Sequence, residues 1–415
     1  MRGKIYGLLG RKLGHSWSVP IHTALGCQGY RLIELEPEEL GGFLRREDIG
    51  GLNVTIPYKR GVMPFCDVID PAAQAIGSVN TLVRRADGRL YGYNTDIDGF
   101  RYMLRRANIS LAGKKVLILG SGGASLTAQA AARQECAREV VVISRSGPDN
   151  YENLPERHAD GEIVVNTTPV GMYPSTGVSP VELDCFPRCA GVLDVVYNPR
   201  RTALLMQAEE RGLPYSDGLP MLVAQAKRAE EHFFEKSIPD SENERILALL
   251  RQETANIVLI GMPGSGKSTV GQALAELTGR EAIDVDQRIA ETAGRSIPEI
   301  FAQGGEAAFR ALEREATAEA GKLSGKIILT GGGVVKDLRN YASLHQNGRI
   351  YHLIRDLTLL PTDGRPLSQG ADLAAMWAER GPMYARFRDT VIDNNGTVAD
   401  TAAAIWRDFC EYSGD

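Results

Sequence analysis

The chain has 415 residues, and because domains commonly hold roughly 100 to 200 residues, this length predicts several folding units. Its 43% hydrophobic and 24% charged residues are ordinary for a globular protein. The formal net charge of −5 argues against nucleic acid or an anionic membrane as the main partner, which leaves small molecules.

Targeting signals and disulfides are not indicated by the sequence. There is no apolar run of roughly 18 residues, and the start MRGKIYGLLGRKLGHS lacks an apolar segment with a cleavage site, which predicts a cytoplasmic protein. Six cysteines are scattered without a C-x-x-C pair, so we expect reduced thiols rather than a disulfide framework or a zinc site.

The first hundred residues predict a small α/β unit. Short apolar runs (KIYGLLG, YRLIELE, GLNVTIP, SVNTLVR) are mixed with helical patches such as GGFLRRE. Next, KKVLILGSGGASLTAQAAARQ predicts a buried strand, a glycine turn and a helix, and REVVVISRS predicts the following strand, which together form a βαβ unit. GEIVVNTTP and GVLDVVY are further buried-strand candidates.

The rear part begins after the polar segment SIPDSEN at 237–243, and the amphipathic helix ERILALLRQE leads into it. Strands NIVLIG, GKIILTGG and RIYHLI alternate with helices STVGQALAELT, EAAFRALEREATAEA and ADLAAMWAER. This alternation predicts a three-layer P-loop domain with a boundary near residue 240.

The segment GMPGSGKST at 261–269 fits the phosphate-binding pattern G-x-x-x-x-G-K-[ST]. Gly261 and Gly266 allow backbone angles that aim amides at phosphates, and Lys267 supplies a charge near the terminal phosphates. Ser268 can bind Mg²⁺, and the helix that starts there adds its positive end. The segment therefore predicts binding of ATP with Mg²⁺.

Charged residues downstream indicate an anionic acceptor. Asp284 and Asp286 in EAIDVDQRI are expected to point to the same side of an extended segment, one serving Mg²⁺ through water and the other holding or deprotonating a hydroxyl. Glu306, Arg310 and Glu313 fall on one helical face. Arginines in DGRPLS and ERGPMY, near the turn TGGGVV, suit recognition of a carboxylate.

These rear motifs, in the order G-x-x-G-x-G-K-[ST], D-x-D, G-E-x-x-F-R-x-x-E, G-G-G, R-P-L and R-x-P-x-Y, resemble shikimate kinase over about 160 residues. The resemblance implies Lys267 and Asp286 as catalytic residues and Arg365 on a lid that excludes water. The implied ATP ligands are Gly264, Ser265, Gly266, Lys267, Ser268, Thr269 and Arg365, with Ser268 and Asp284 for the metal. The implied substrate ligands are Asp286, Arg310, Gly331, Gly332, Gly333 and Arg380.

The glycine turn GSGGAS at 120–125 approximates the dinucleotide-binding pattern G-x-G-x-x-G, with Ser125 in place of the third glycine. The next strand ends in Ser144, Arg145 and Ser146, where an NAD site carries an acidic residue. Arginine and hydroxyl groups suit a 2′-phosphate, so the sequence favours NADP.

Polar residues upstream are candidates for a carbonyl-reducing site. Ser16 and Ser18, two apart in an expected extended loop, could bond one carboxylate. Lys59 and Asp96 would make a cationic donor with its orienting carboxylate, suited to protonating a carbonyl oxygen as hydride reaches its carbon. Taken singly, a surface lysine and a helix cap are the alternative interpretations.

The front motifs resemble shikimate dehydrogenase over about 235 residues, through G-L-L-G-x-x-L-x-H-S-x-S, N-V-T-I-P-x-K, V-N-T, N-T-D-x-x-G, N-x-T-P-x-G-M, D-x-V-Y-x-P and G-x-x-M-L-x-x-Q-A. The resemblance implies Lys59 and Asp96 as the catalytic pair. The implied substrate ligands are Ser16, Ser18, Thr55, Asn80, Tyr197 and Gln225. The implied NADP contacts are Gly120, Ser121, Gly122, Gly123, Ala124, Ser144, Arg145, Met172, Gly218 and Met221. Val19 departs from the family's proline, and Arg145 is the main charge for the 2′-phosphate.

The two resemblances together imply an α/β architecture. A two-lobed dehydrogenase would comprise a substrate lobe (1–102, completed by helices at about 219–237) and a Rossmann lobe (103–218), followed by a linker (238–254) and a P-loop kinase (255–415). The expected function is NADPH-dependent reduction of 3-dehydroshikimate to shikimate, then ATP-dependent phosphorylation to shikimate 3-phosphate. A quinate or dual-specificity dehydrogenase, or a non-catalytic shikimate-sensing module, are the alternatives for the front half. The oligomeric state is left open.

Overall fold

The computed structural model describes residues 3–14, 16–360 and 373–414, with side chains through 412. By their contacts the residues form two compact units. The first comprises Met1–Val170, Ser179–Tyr197 and Gln207–Leu247, and the second Gly171–Val178, Asn198–Met206 and Ala248–Asp415. The α/β class expected from the sequence is confirmed.

The first sheet of the first unit is mixed and has the order β2-β1-β3-β5-β6-β4. β1, β2 and β3 are parallel, whereas β5 runs antiparallel to β3 and β6. Its elements are β1 (Ile5–Gly10), α1 (Ser18–Ala24), β2 (Arg31–Glu34), α2 (Leu40–Leu44), β3 (Ile49–Val54), β4 (Val68–Ile69), α3 (Pro71–Ile76), β5 (Thr81–Arg84), β6 (Leu90–Tyr93) and α4 (Asp96–Arg106). Leu9, Ile49, Leu52 and Leu82 are fully buried in its core.

The second sheet is parallel throughout, in the order β11-β10-β9-β7-β8. Its inner strand KVLIL, which lies between β9 and β8, is buried along its whole length, as expected for a strand covered on both faces. The elements are β7 (Lys115–Leu119), α5 (Gly123–Gln134), β8 (Glu139–Ile143), α6 (Leu154–Arg157), β9 (Ile163–Asn166), β10 (Gly191–Asp194), α7 (Ala203–Glu210), β11 (Tyr215–Ser216) and α8 (Leu219–Phe234).

Helices α4 and α8 of the first unit pack closely at Gly99. A Cβ atom at this position would lie 2.4 Å from the carbonyl oxygen of Met221, so only glycine allows this approach. Because α4 begins at Asp96 and α8 carries Gln225, the close packing brings these two functional candidates toward one another.

The second unit contains a parallel sheet of order β13-β14-β12-β15-β16. Helix α12 is interrupted by a non-helical residue, Gly305, and α9 spans the boundary between the two units. The elements are α9 (Ser241–Thr254), β12 (Asn256–Ile260), α10 (Lys267–Thr278), β13 (Ala282–Asp284), α11 (Val285–Ala293), α12 (Ile297–Lys322), β14 (Ile327–Leu329), α13 (Leu338–His345), β15 (Gly348–Ile354), α14 (Leu373–Phe387), β16 (Thr390–Asp393) and α15 (Val398–Gly414).

The segment Asn198–Met206 belongs to the second unit through a dense set of hydrogen bonds. The backbone amide of Arg201 donates to the carbonyl of Gln346 at 2.9 Å. The guanidinium groups of Arg200 and Arg201 donate to the Tyr412 hydroxyl at 2.8 and 2.7 Å. Although burial acts in the opposite direction, these two arginines lower the pKa of Tyr412.

The cysteines and the helices of the structure concern disulfide pairing and membrane insertion. All six cysteines are free. Within residues 3–14, 16–360 and 373–414, no helix combines the length and apolar character needed to cross a membrane. The same residues contain no group of three or more His, Cys, Asp or Glu side chains arranged to hold a metal ion.

His352 on β15 is buried, and among the described residues it has no hydrogen-bond partner. Its ring stacks on Tyr384 and Trp377 of α14, with ring centroids 4.7 and 6.0 Å apart, and the unpartnered atoms are both ring nitrogens. Burial, with smaller contributions from Arg388 and Lys267, lowers the pKa of His352 to about 4. The unfolded chain therefore binds a proton between pH 6.5 and 4 that the folded chain does not.

We expect His352→Phe to reduce the loss of stability on acidification. Stability from this group is complete above pH 6.5 and falls as pH drops toward 4, by about 2 kcal/mol between pH 7 and pH 5. Phenylalanine keeps the stacking and has no proton to bind. Urea unfolding of both proteins at about pH 7 and pH 5, followed by tryptophan fluorescence, measures the difference. An unchanged pH dependence would show that His352 is not held neutral.

Candidate active sites

Lys59 and Asp96 form a close pair in the first unit. The Lys59 Nζ lies 2.5 Å from Asp96 Oδ2, and the side chains are 24% and 13% exposed. The Lys59 carbonyl accepts a hydrogen bond from the amide of Val79 at 2.9 Å, which fixes the turn that carries the lysine. Asp96 is the first residue of α4 rather than its cap, which is Thr95. The pair thus has an ammonium group that is partly open to solvent and a carboxylate that orients it.

Asn80 connects this pair to a buried polar network. Its Nδ2 donates to Asp96 Oδ1 at 2.9 Å, and its Oδ1 accepts from the Thr95 amide at 2.7 Å. Gln225 Oε1 lies 3.5 Å from the same Nδ2. The hydroxyls of Thr81 and Thr95, 3.1 Å apart, complete the network. Thr81 and Thr95 were not predicted as site residues, although Thr81 stands in the motif V-N-T and Thr95 in N-T-D.

Ser16 and Ser18 lie next to one another, with their hydroxyl oxygens 3.1 Å apart. The expectation of an extended loop is wrong for Ser18, because it begins α1 and its amide donates to Ser16 Oγ at 3.2 Å. The first amides of a helix have no partners within the helix, and a nearby serine hydroxyl can accept from one of them, as Ser16 does here. Thr55 follows β3 directly, and its amide donates to the carbonyl of Leu9 at 2.9 Å.

Tyr197 follows β10 and is partly buried. Burial raises the pKa of its hydroxyl, which is therefore a neutral donor near neutral pH. In the part of the chain that the structure describes, no hydrogen bond joins Tyr197 to Lys59, Asp96 or Asn80. Its assignment to the substrate therefore remains a prediction from the family resemblance.

The glycine turn after β7 presents an open helix N-terminus. Gly120 has a φ of 103°, a left-handed conformation that favours glycine, and its amide donates to the carbonyl of Ile143 at 2.8 Å. α5 begins at Gly123 with Gly122 as its cap, and Ala124 lies in its first turn. Ser121, Gly122 and Gly123 are exposed, and a Cβ at either glycine would meet no atom within 4 Å. An anionic group could approach this backbone closely.

Ser144 and Arg145 begin the loop after β8. Because β7 and β8 are parallel, with Leu119 opposite Ile143, this loop starts at the same sheet edge as the glycine turn. Arg145 is exposed, whereas the acid of the same loop, Asp149, is already paired with Arg157 at 2.6 Å. This arrangement leaves a cation next to the glycine turn, which suits a 2′-phosphate.

The remaining predicted NADP contacts occupy different local settings. Gly218 caps α8, and a Cβ there would lie 2.1 Å from the carbonyl of Val195, so glycine is required for this approach. Met221 lies in the first turn of α8. Met172 is 45% exposed and lies in Gly171–Val178, which groups with the second unit.

A cavity of about 640 Å³ lies at the carboxyl edge of the sheet in the second unit. Among the predicted residues it is lined by Gly264, Gly266, Lys267, Ser268, Thr269, Asp284, Asp286, Arg310, Gly331, Gly332, Gly333 and Arg380. Ser265 is not in the lining; it is 1% exposed, and its carbonyl accepts from Asn394 at 2.7 Å. Arg365 lies outside the described residues.

The loop after β12 has the backbone geometry of a phosphate cradle. Gly261, Gly264 and Gly266 have φ values of 150°, 87° and 91°. α10 begins at Lys267, whose Nζ donates to the carbonyls of Gly261 and Met262 at 2.8 and 3.0 Å. The amides and the helix N-terminus therefore face the space that the lysine borders.

Asp284 and Asp286 do not share an extended segment, and that expectation is wrong. β13 ends at Asp284, which caps α11: its Oδ1 accepts from the amides of Asp286 and Gln287 at 2.9 and 3.2 Å. Aspartate is a favoured N-cap residue, so the chain turns at this point. Both carboxylates nevertheless line the cavity. Together with Ser268, the oxygen of Asp284 not used in capping fits a Mg²⁺ site that is completed by water and phosphate.

Two carboxyl groups of this cavity are harder to ionise than usual. Burial, assisted by the charge of Asp284, raises the pKa of Asp286, while Lys267 and Arg310 act in the opposite direction. Burial also raises the pKa of Glu313, although its partner Arg310 lies only 2.6 Å away. A buried carboxylate with a raised pKa is better suited to accept a proton than an exposed one.

The glycine turn after β14 is packed against charged side chains. A Cβ at Gly331 would lie 2.8 Å from Asp286 Oδ1 and 3.1 Å from Glu313 Oε1, and one at Gly333 would lie 2.3 Å from an Arg310 nitrogen. Neither carboxylate oxygen has a hydrogen-bond partner in the described structure. The turn therefore allows the carboxylates and the guanidinium group to meet next to open space.

Several lining residues were missed by the sequence analysis. Thr330 and Arg355 follow β14 and β15, and Phe301 and Phe309 supply an apolar wall. The signal for Thr330 and Arg355 was their position after buried strands, because the carboxyl ends of parallel strands form binding edges. The two phenylalanines gave no signal that distinguishes them from core residues.

We expect Gly331→Ala to reduce phosphoryl transfer strongly. The added methyl group would lie 2.8 Å from Asp286 Oδ1 and must displace that carboxylate. Since misplacement by about 1 Å can cost roughly 100-fold in rate, the kinase kcat should fall by that order. The rate of ADP formation at saturating substrate measures this. The reductase rate of the same protein is the control for folding, and an unchanged kinase kcat would contradict the assigned packing.

Comparison with known proteins relates both parts of the chain to known families. The family model of the shikimate dehydrogenase substrate binding domain matches residues 8–82. Shikimate dehydrogenase (NADP(+)) of Geobacillus kaustophilus is 39% identical over 253 residues, which cover 55% of this chain and 91% of that protein. The chain belongs to the shikimate dehydrogenase family. Residues 263–410 match the shikimate kinase family model, so a kinase domain is joined to the dehydrogenase.

Solved structures resemble the dehydrogenase part. A chorismate mutase/shikimate 5-dehydrogenase fusion protein from Clostridium acetobutylicum is 35% identical with a TM-score of 0.57, covering 61% of this chain and 98% of its own. Shikimate 5-dehydrogenase from Thermus thermophilus, in complex with NADP(H) and shikimate, is 32% identical with a TM-score of 0.52, covering 59% and 98%. These structures and the family model matched by residues 263–410 together confirm the sequence resemblance to both families.

Proposed function

We propose that this chain carries out two consecutive reactions: NADPH-dependent reduction of 3-dehydroshikimate to shikimate, and ATP-dependent phosphorylation of shikimate to shikimate 3-phosphate. The observation that carries this proposal is that one chain holds both a Lys59–Asp96 pair at 2.5 Å and a phosphate-binding cavity lined by Asp286. Its partners are small molecules, and its need for NADPH and ATP supports the cytoplasm as its compartment.

In the reductase, the chain supplies binding groups and a proton. NADPH, when bound, supplies the hydride, and the open turn at 120–124 with Arg145 would hold its phosphates. Lys59 would donate a proton to the carbonyl oxygen, while Asp96 holds the ammonium group in position. Ser16, Ser18, Thr55, Asn80, Tyr197 and Gln225 are the proposed substrate ligands. Met172, Gly218 and Met221 would contact the nicotinamide.

In the kinase, the chain positions two reactants and excludes water. The loop at 264–269 would hold ATP, and Mg²⁺ bound by Ser268 and Asp284 supplies charge neutralisation at the phosphates. Asp286 would accept the proton of the attacking hydroxyl. Arg310, Arg380 and the turn at 331–333 would hold the acceptor carboxylate. Arg365, on the segment outside the described residues, is proposed as the lid contact to the phosphates.

A coupled assay tests the whole proposal. Purified protein receives 3-dehydroshikimate, NADPH and MgATP, and NADPH loss and ADP formation are followed separately. We expect NADPH loss without ATP, and ADP formation only after shikimate has been formed or added. Rates with shikimate and with quinate, each measured with NADP and with NAD, determine the specificity of the dehydrogenase. If the first site turns over none of these ring carboxylic acids, the reductase assignment is overturned.

The two activities should be separable by single substitutions. Lys59→Ala removes the proton donor in the first unit and should lower NADPH oxidation by about 100-fold or more, while ADP formation from added shikimate continues. Lys267→Ala removes the phosphate contact in the second unit. It should lower ADP formation, while NADPH oxidation continues. Each variant serves as the folding control for the other. Equal loss of both activities in a folded variant would contradict the independence of the sites.

The pH dependence of the kinase should reflect the raised pKa of Asp286. Because burial favours its protonated form, the carboxylate that accepts the proton is lost as pH falls through a pKa above the ordinary value of 3.8. The acid limb of kcat should therefore lie above that pH. Asp286→Asn should remove this limb together with most of the activity. An acid limb at or below the ordinary aspartate pKa would contradict the assignment of Asp286 as base.

A further inference from the structure

Arg355 occupies a position next to the phosphate loop. It is the first residue after β15, and β15 runs parallel to β12, with His352 opposite Ile260. The two strands end side by side, and a Cβ at Gly261 would lie 2.6 Å from the carbonyl of Leu353. The backbone that leads to Arg355 thus touches the loop that precedes α10, and its side chain lines the same cavity.

Arg355 differs from the other cations that line this cavity. Lys267 donates to two loop carbonyls, Arg310 pairs with Glu313 at 2.6 Å, and Arg380 donates to the carbonyl of Gly332 at 3.3 Å. Within residues 3–14, 16–360 and 373–412, the Arg355 side chain makes no hydrogen bond or ion pair. Its Nε is buried without a partner.

A guanidinium group with a buried, unsatisfied nitrogen is an unfavourable arrangement for a folded chain. A buried donor nitrogen without a partner has lost its hydrogen bonds to water and gained none in the protein, which disfavours the folded chain. The cost is offset when an anion enters and accepts from it, and the planar guanidinium group suits bidentate binding of phosphate or carboxylate. The arrangement therefore indicates a group prepared for an anionic ligand.

The cavity would receive two anions, the acceptor carboxylate and the nucleotide phosphates. The position of Arg355 indicates which of the two it binds. Arg310 and Arg380 gather at the turn 331–333, where a Cβ at Gly333 would touch Arg310 and Arg380 bonds to Gly332. Those two cations belong to the proposed acceptor carboxylate. Arg355 instead follows β15 beside the phosphate loop, where a Cβ at Gly261 would lie 2.6 Å from the β15 carbonyl of Leu353.

We propose that Arg355 binds the phosphate chain of the nucleotide in the kinase cavity, adding a second cation to Lys267 at the phosphates. This inference rests on the proposed kinase function. The guanidinium group would share the negative charge of the phosphates and would fix their orientation for transfer. Arg355 is thus a nucleotide-specific residue, distinct in its role from the acceptor-binding arginines.

The test uses the full chain with Arg355→Gln, Arg355→Lys and the control Arg339→Gln. Arg339 is an exposed arginine of α13, paired with Asp337 at 2.8 Å and absent from the cavity lining. ADP binding is measured by calorimetry, and steady-state KM values are measured for ATP and for shikimate. The reductase rate of each protein, together with the thermal unfolding midpoint, reports on folding.

Arg355→Gln is expected to weaken ADP binding and raise the KM for ATP by about 10-fold to 100-fold, with the KM for shikimate nearly unchanged. Arg355→Lys should recover part of this loss, since it keeps the charge but not the bidentate geometry. Arg339→Gln should behave as the wild type.

Unchanged ADP binding and KM for ATP in Arg355→Gln would overturn the inference, as would a rise confined to the KM for shikimate. If Arg355→Gln fails to fold, Arg355→Lys decides: nucleotide affinity equal to that of the wild type overturns the inference. Failure of the proposed function has a different signature, because the wild type would then form no ADP in the presence of shikimate.

Discussion

Close approach of backbone to charged groups at the carboxyl ends of parallel strands is the constraint on which both candidate sites depend. A Cβ at Gly331 would lie 2.8 and 3.1 Å from two carboxylate oxygens, and one at Gly218 would lie 2.1 Å from a carbonyl oxygen, so the backbone approaches these groups more closely than a side chain allows. Gly120 and Gly261 turn the chain with φ values that other residues rarely adopt. The sheets supply fixed strand ends, and the glycines let functional groups gather there without intervening side chains.

The two candidate sites use charge in different ways. In the first unit, the ammonium group of Lys59 meets the Asp96 carboxylate in a partly exposed setting, so opposite charges support each other. In the second unit, Asp286 and Glu313 are buried near one another, and burial raises the pKa of both carboxyl groups. The first arrangement orients a proton donor, and the second makes a carboxylate a better proton acceptor. Each corresponds to the step proposed for its site.

Much of the fold could be predicted because buried parallel strands have plain sequences. KVLIL and NIVLI stand out as apolar runs before glycine turns, and neither lies at an edge of its sheet. Short elements were less predictable: the helix at the patch GGFLRRE begins one residue earlier, at Leu40, and already ends at Leu44, and β4 and β11 have two residues each. The carboxylates of Asp284 and Asp286 were placed in one cavity but by the wrong geometry, since a capping turn cannot be distinguished from a strand end by spacing. The position of Arg355 after a buried strand was a signal for the cavity, but its role could not be predicted from sequence, because that role depends on the absence of a partner for its side chain among the described residues.

The hydrogen bonds that hold Asn198–Met206 have a practical consequence for dissecting the protein into fragments. Residues far upstream of the P-loop cover the hydroxyl of Tyr412 and the carbonyl of Gln346. In a recombinant kinase that begins at residue 248, these polar groups would be exposed to water, whereas residues 198–206 cover them in the full chain. Cloning boundaries drawn from sequence families alone would therefore remove part of the second unit's own material.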